Sequence, residues 1–166
     1  MVLETRRCYL SFTTDNDVPG FKALYADVNV WEYLGGIRNN EQINHDISSR
    51  IYPQNDCVHW TIRKKETNDF IGSISLAPHH DGFYKEVSYE FLSSSWGNGY
   101  ASETVEKVIQ YAFESLKLST LVAETQSANT ASCNMLRRLG FNETQKVTRF
   151  GFEQIVFTIK NPATEV

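Results

Sequence analysis

The chain has 166 residues, 41% of them hydrophobic and 22% charged, with a formal net charge of −4 at pH 7. This length predicts one domain, residues 1–166, with a sizeable core. No apolar run approaches the ~20 residues of a membrane span, and the acidic balance disfavours nucleic acid as a partner. The start of the chain lacks the apolar segment of a signal peptide. The three cysteines are widely spaced, which favours reduced thiols in a cytoplasmic protein over disulfides or a zinc site.

The first half of the chain combines strand and helix patterns. Alternation places Cys8, Leu10 and Phe12 on one face of a strand. In chain order we predict a strand around residues 8–12, a helix from 19 that breaks at 31–36, a helix over 40–51, and strands over 58–63, 70–76 and about 84–92. The turn before the last strand contains His79 and His80, which are adjacent rather than spaced as ligands. We therefore expect solvent-exposed histidines and no metal.

A glycine-bearing turn, residues 95–103, joins the last of these strands to an amphipathic helix. Such a turn gathers free backbone N–H groups at the positive end of the helix dipole, which is typical of an anion site. A P-loop is excluded because no lysine follows Gly99 until Lys107, and a dinucleotide fingerprint is excluded because Ser102 occupies the third glycine position. The turn therefore predicts a lysine-free pyrophosphate site made of backbone amides. The alternative is a β-to-α turn that binds nothing.

The rest of the chain adds two helices and three strands. We predict a helix from 101, a strand over 121–126, a helix over about 130–139, and strands around 141–148 and 152–159. Gly140 is suited to end the second helix in a left-handed conformation. The order of elements, βααβββαβαββ, predicts one mixed α+β domain.

Several segments together resemble the GCN5-related N-acetyltransferase (GNAT) superfamily, most closely its RimJ/RimL-like branch of ribosomal-protein N-terminal acetyltransferases. The resemblance covers nearly the whole chain. The segments that carry it, in order, are Thr5-Arg6-Arg7, Tyr33-Leu34-Gly35-Gly36, Glu86-Val87-Ser88-Tyr89, Trp96 to Glu103, Asn129-Thr130-Ala131-Ser132 and Leu136 to Phe141. It implies a central mixed sheet of about seven strands, flanked by about four helices and splayed open at its middle. Acetyl-CoA would lie in the V-shaped gap.

A splayed strand leaves backbone groups that are costly unless something pairs with them. The pantetheine arm of coenzyme A carries two amides that suit this role. The resemblance implies that the arm pairs with Phe91, Leu92 and Ser93, and that Asn129 contacts it as well as capping a helix. The pyrophosphate would then lie on the glycine turn, against Trp96, Gly97, Asn98, Gly99, Tyr100 and Ala101.

Acetyl transfer from a thioester to an amine needs a base for the amine and a hydrogen-bond donor for the departing thiolate. Glu86 and Glu90 are the candidate bases, and even spacing places both on one face of their strand. The alternative for each is an ion pair with lysine or arginine across the sheet, and an ordered water chain is the alternative base.

The thiolate donor of many superfamily members is a tyrosine, but Leu136 occupies that position here. The branch resemblance points instead to Ser132, which could equally serve only the first turn of its helix. Cys133 is expected to be a small buried residue. Trp31, Tyr33 and Tyr84 are candidates for the acceptor pocket, with plain core as the alternative.

The resemblance thus implies an acetyl-CoA-dependent N-acetyltransferase that transfers acetyl directly to a primary amine in a ternary complex. The acceptor would be a protein N-terminus or a small-molecule amine, and the enzyme a monomer or a homodimer. One alternative is a non-catalytic acyl-CoA-binding or sensing module, which the missing tyrosine favours. Another is an acyltransferase for longer acyl chains.

Overall fold

Eight strands form one mixed sheet in the computed structural model, which describes residues 1–54 and 56–164. Their order across the sheet is β1-β2-β3-β4-β5-β6-β8-β7, and every neighbouring pair is antiparallel except β5 with β6. The strands are β1 (Leu3–Glu4), β2 (Cys8–Phe12), β3 (Val58–Lys64), β4 (Phe70–Pro78), β5 (Lys85–Phe91), β6 (Thr120–Gln126), β7 (Asn142–Arg149) and β8 (Phe152–Lys160). The predicted α+β class is confirmed, with the two-residue β1 as an additional strand.

Five α-helices flank this sheet in the described residues: α1 (Val18–Ala26), α2 (Val28–Trp31), α3 (Asn40–Ile51), α4 (Tyr100–Glu114) and α5 (Thr130–Arg138). The count exceeds the expected four because the first helix breaks earlier than predicted. Asp27 has an extended backbone, and its side chain accepts a hydrogen bond from Asn29 N–H, which starts a separate α2. None of these helices is long and apolar enough to cross a membrane.

The helices lie on opposite faces of the sheet. Ser73 and Glu90 are register partners, and both contact Arg50 of α3. Ile74 and Tyr89 are the next pair along, and Tyr89 contacts α5. Because successive side chains of a strand point to opposite faces, α3 and α5 are on opposite sides of the sheet.

A second, smaller core lies among α1, α2 and α3, and it contains Trp31. The Trp31 ring stacks on Tyr25 with 4.8 Å between centroids, and its Nε1 donates to the carbonyl of Leu24. Only 5% of Trp31 is exposed. The expectation that Trp31 lines an acceptor pocket is therefore wrong, since the packing of the short α2 against α1 buries it.

The sheet is splayed between its two parallel strands. In the described residues β5 and β6 are paired only at Lys85 with Leu121 and at Glu86 with Val122. Both strands continue past this point, β5 to Phe91 and β6 to Gln126, without further pairing to each other. The strands therefore diverge and leave a V-shaped gap, as the resemblance implied.

Candidate active site

A cavity of about 240 Å³ occupies the gap between β5 and β6. Five of the candidate catalytic, cofactor-binding and acceptor-pocket residues line it: Tyr33, Glu86, Glu90, Asn129 and Ser132. Tyr84, by contrast, is 45% exposed at the start of β5 and is not among the lining residues. The splay thus gathers the predicted catalytic side chains in one place.

The N–H groups of β5 that do not pair with β4 point into this gap. Leu92 N–H donates to the carbonyl of Ile71 in β4, so strand alternation directs the backbone groups of Tyr89 and Phe91 toward β6. The Phe91 carbonyl accepts a hydrogen bond from Trp96 Nε1 at 2.9 Å. Ser93 N–H and its hydroxyl both donate to Asp27. Leu92 and Ser93 N–H therefore already have partners, and the edge open to a ligand lies at Tyr89 and Phe91 N–H, slightly earlier than expected.

The glycine turn has the geometry of an open anion site at the start of α4. Gly97 and Gly99 have φ values of +75° and +79°, a left-handed region that disfavours side chains. A Cβ on Gly97 would meet nothing within 4 Å, whereas one on Gly99 would come within 3.3 Å of Arg7 Nη2. Space is thus free beside Gly97, at the N-terminus of a fifteen-residue helix.

Arg7, which lies just before β2, holds the glycine turn in place. This role was not predicted from the sequence. Arg7 Nη1 donates to the Asn98 carbonyl at 2.8 Å, and Arg7 Nε donates to Glu103 at 2.7 Å. The guanidinium also lies 4.4 Å from the centroid of the Tyr100 ring. These contacts hold the turn in place. A separation of 91 residues between Arg7 and Asn98 leaves no local signal for the contact.

Glu86 combines cavity exposure with a perturbed acidity. Burial raises the pKa of Glu86 to about 7, the Glu124 carboxylate contributing in the same direction and His79 opposing both. Ser88 Oγ donates to Glu86 Oε1 at 3.3 Å. A carboxyl that titrates near neutrality is partly ionised at pH 7 and is suited to accept a proton there.

Glu90 lines the same cavity but is neutralised by an arginine. It forms an ion pair with Arg50 of α3, in which the two side chains are 12% and 16% exposed respectively. Arg50 Nη1 also donates to Ser73 Oγ at 3.1 Å. The ion-pair alternative therefore describes Glu90, with the cation coming from a helix rather than from a neighbouring strand.

His79 is buried, contrary to the expectation of a solvent-exposed turn. It is 4% exposed, with Nε2 2.7 Å from Glu124 Oε2 and Nδ1 3.1 Å from Asp81 Oδ2. Arg149 Nε donates to the other oxygen of Glu124 at 2.6 Å. Burial disfavours protonation of His79, but the hydrogen bonds that the imidazole donates to both carboxylates outweigh it and raise the pKa of His79. Its neighbour His80 is exposed, and it lines the cavity.

Ser132 is held at the cavity by two contacts. Its backbone N–H donates to Asn129 Oδ1 at 3.2 Å, so Asn129 caps α5 as predicted. Its Oγ lies 2.7 Å from the hydroxyl of Tyr89, a residue that sequence reasoning did not single out as functional. Leu136, at the position of the missing tyrosine, is fully buried, and Cys133 is 2% exposed.

The mouth of the cavity contains an aromatic residue that was not predicted. Phe150 lines it from the turn between β7 and β8, with a φ of +55° and 80% exposure. Its neighbour Gly151 also has a positive φ, which is typical of a tight hairpin turn. Among the described residues no group of His, Cys, Asp and Glu side chains is arranged to hold a metal ion.

Comparison with known proteins agrees with this geometry. The profile of the Acetyltransferase (GNAT) domain matches residues 7–142. The chain belongs to the GNAT acetyltransferase family. It is 33% identical over 150 residues to the uncharacterised N-acetyltransferase YoaA of Bacillus subtilis, covering 86% of this chain and 83% of that protein.

Solved structures show the same fold at low identity. A GNAT-family acetyltransferase from Bacillus anthracis has a TM-score of 0.86 at 18% identity, covering 97% of this chain and 99% of that one. The ribosomal L7/L12 α-N-protein acetyltransferase RimL, in complex with coenzyme A, has a TM-score of 0.82 at 15% identity, covering 98% and 99%. The prediction of a GNAT acetyltransferase is confirmed.

Proposed function

We propose that this GNAT protein transfers acetyl directly from acetyl-CoA to a primary amine bound in the same cavity. The observation that carries the proposal is the divergence of β5 and β6, which exposes a backbone edge that leads into the open glycine turn. The pantetheine amides would pair with Tyr89 and Phe91, and Asn129 would contact the arm from α5. The pyrophosphate would lie on the N–H groups of residues 97–101. One ligand satisfies both features.

Glu86 is the proposed base. In the reaction the amine nitrogen forms a bond to the acetyl carbon, the C–S bond breaks, and its electron pair leaves on sulfur. The ammonium form of the amine first loses one proton to solvent, and Glu86 accepts the second proton, which the nitrogen loses as the amide forms. Glu90 is a poorer candidate because Arg50 neutralises it, and we assign to this ion pair the attachment of α3 to the sheet. The hydroxyl of Ser132 is the proposed hydrogen-bond donor to the departing sulfur.

Glu86 is the cavity carboxyl that supports a cationic acceptor. Glu90 and Glu124 also line the cavity, but Arg50 pairs with the first, and Arg149 and His79 pair with the second. Glu86 is partly ionised at pH 7 and attracts amines, which reach a protein surface mainly as ammonium ions. The resemblance to the RimJ/RimL-like branch favours a protein N-terminus, and a small-molecule amine is the other acceptor with the same charge. We place the reaction in the cytoplasm because buried Cys8 and Cys133 are free thiols. We propose a monomer or a homodimer as the form of the enzyme.

A non-catalytic acyl-CoA-binding module is the second candidate. It is favoured by the fully buried Leu136 at the position where many superfamily members carry a tyrosine. A module of this kind would bind acetyl-CoA without releasing a thiol.

Thermal unfolding with acetyl-CoA, with ATP and NAD as controls, tests the shared binding step. Ligand at about 100 times its Kd adds roughly 2.7 kcal/mol of stability, and a shift with acetyl-CoA alone supports the site. Gly97→Asp should abolish the shift by placing a carboxylate beside the pyrophosphate, whereas Gly82→Asp, at a similar φ of +76° outside the turn, should keep it. Absence of any shift in the native protein would overturn the proposal.

Thiol release during incubation with a panel of amines then separates the two candidates. The panel contains short peptides with free N-termini and small polyamines, each with an N-acetylated control. Release with a peptide or a polyamine identifies the acceptor class. Binding of acetyl-CoA without release for any amine would favour the non-catalytic module.

A further inference from the structure

The hydroxyls of Tyr89 and Ser132 meet at 2.7 Å across the cavity, one from β5 and the other from the first turn of α5. Both residues line the cavity. We propose that Tyr89 is a positioning residue whose hydroxyl donates to Ser132 Oγ and so directs the serine hydrogen toward the departing sulfur. The inference rests on the proposed function, because it assigns a second residue to the step in which the thiolate leaves.

Either hydroxyl is able to donate in this contact, and we assign the donor role to Tyr89. Burial raises the pKa of Tyr89 to about 12, so the phenol keeps its hydrogen throughout the neutral range. A buried phenol needs a partner for that hydrogen, and Ser132 Oγ is within reach. A serine oxygen that accepts from Tyr89 still has its own hydrogen to donate. The contact therefore leaves the Ser132 hydrogen free for an acceptor in the cavity.

The chemical step balances without moving a proton from Tyr89. The C–S bond breaks, and its electron pair stays on sulfur as a thiolate that accepts the Ser132 hydrogen bond. The proton lost by the amine goes to Glu86 and then to solvent. Tyr89 and Ser132 remain neutral throughout, and their contribution is a preorganised donor rather than an acid.

This arrangement explains how the cavity supplies a hydroxyl although α5 carries Leu136 at the position of the missing tyrosine. Leu136 is fully buried in the core and points to no ligand site. The aromatic hydroxyl comes instead from the strand on the other side of the gap. One member of the pair therefore comes from β5, and the other comes from α5, which follows β6 in the chain.

Binding of free coenzyme A, compared with desulfo-coenzyme A, tests the proposal without turnover. Thiols titrate near pH 8.5, so an enzyme that stabilises the thiolate binds coenzyme A more tightly at pH 9.5 than at pH 7, relative to the sulfur-free analogue. We expect Tyr89→Phe to reduce this relative gain by roughly three- to tenfold, the effect of one neutral hydrogen bond. Ser132→Ala should reduce it at least as much, and the double variant no further.

Acetyl-CoA affinity provides the internal control. Since the thioester has no thiolate, any change that a substitution makes in its affinity should be the same at pH 7 and at pH 9.5. Tyr111→Phe is the matched control, because Tyr111 packs on Trp60 in the core and lies outside the cavity. A native protein without the gain, or a Tyr89→Phe variant that retains it, overturns the positioning role. Either result can occur with acetyl-CoA binding and amine turnover intact, so it is distinguishable from failure of the proposed function.

Discussion

The Nε2 atom of His79 lies 2.7 Å from Oε2 of Glu124, and this contact joins the end of β4 to β6 beside the base proposed for the reaction. Asp81 holds the other nitrogen of the same imidazole. A histidine placed between two carboxylates is favoured in its charged form. The contact therefore stabilises the fold when His79 is charged, and that charge opposes the rise in the pKa of Glu86.

His79→Gln should destabilise the protein most at mildly acidic pH. The raised pKa of His79 means that its contribution is complete below about pH 6.5, its unfolded value, and is lost as pH rises through the folded value. Removing one partner of a buried ion pair costs about 3 kcal/mol. Urea unfolding at pH 6 and pH 9 should show a larger deficit at pH 6. The exposed neighbour provides the control, as His80→Gln should change stability by less than about 0.5 kcal/mol at either pH.

Glu86→Gln should remove the neutral-pH transition of the enzyme. With a pKa of about 7, the native carboxylate gains its basic form through that pH, so the slope of log kcat/KM against pH should decrease by one unit near 7. The variant should lack this change and lose about 10²- to 10⁴-fold in kcat. A variant that keeps the transition would assign the base elsewhere, with Glu90→Gln as the first alternative to measure.

The same substitution should stabilise the fold at alkaline pH. A carboxyl whose pKa is raised on folding favours the protonated native state, so its cost appears as pH rises above the unfolded value, about 4.3, and is complete above about 7. Glu86→Gln should thus have a higher free energy of unfolding than the native protein, and the difference should be larger at pH 8 than at pH 5. An equal difference at both pH values would contradict the assignment of a raised pKa.

Arg50→Met should destabilise the protein because it leaves Glu90 without its ion-pair partner. The substitution leaves a buried carboxylate without its cation, at a cost of about 3–5 kcal/mol. Arg50→Met combined with Glu90→Gln should recover part of this loss, because no unpaired charge remains. Chemical denaturation of both variants checks the prediction. Equal stability of the single and double variants would show that the ion pair is not the source of the effect.

Gly97→Ala should weaken acetyl-CoA binding with only an ordinary cost to folding. A Cβ at its φ of +75° costs about 1–2 kcal/mol, and Gly82→Ala, at +76°, should cost the same. Only the first points a methyl group into the space proposed for the pyrophosphate. Loss of one charge-assisted hydrogen bond there corresponds to roughly 10- to 100-fold in affinity. Calorimetric titration should show unchanged affinity for Gly82→Ala.

Structural features that depend only on residues close together in the chain could be predicted from the sequence. The helix Asn40–Ile51 has the predicted bounds, Asn129 caps α5, and Gly140 adopts a φ of +95° after it. Each depends on local spacing, a capping side chain or one backbone conformation. The glycine turn belongs to the same class, since its two left-handed residues and the helix behind them are adjacent in the chain.

Contacts between distant elements could not be predicted, because the period of a strand gives its faces but not what covers them. Even spacing places Glu86 and Glu90 on one face of β5, and both line the cavity. The spacing gives no indication that α3 brings Arg50 to Glu90. Tyr89 and Ser132 are 43 residues apart, and His79 and Glu124 are 45 apart. These pairs depend on the topology of the whole sheet.

The short pairing between β5 and β6 leaves a place in the sheet for a strand that the chain does not supply. Amides on the two sides of β5 should therefore differ in protection from deuterium exchange. Leu92 N–H faces β4 and donates to Ile71, whereas those of Tyr89 and Phe91 face the gap. Exchange at 89 and 91 should be fast in the free protein and slow once the cofactor is bound, with residue 92 little changed. The ligand then acts as an additional strand of the sheet, and its binding can be measured as protection of individual backbone amides.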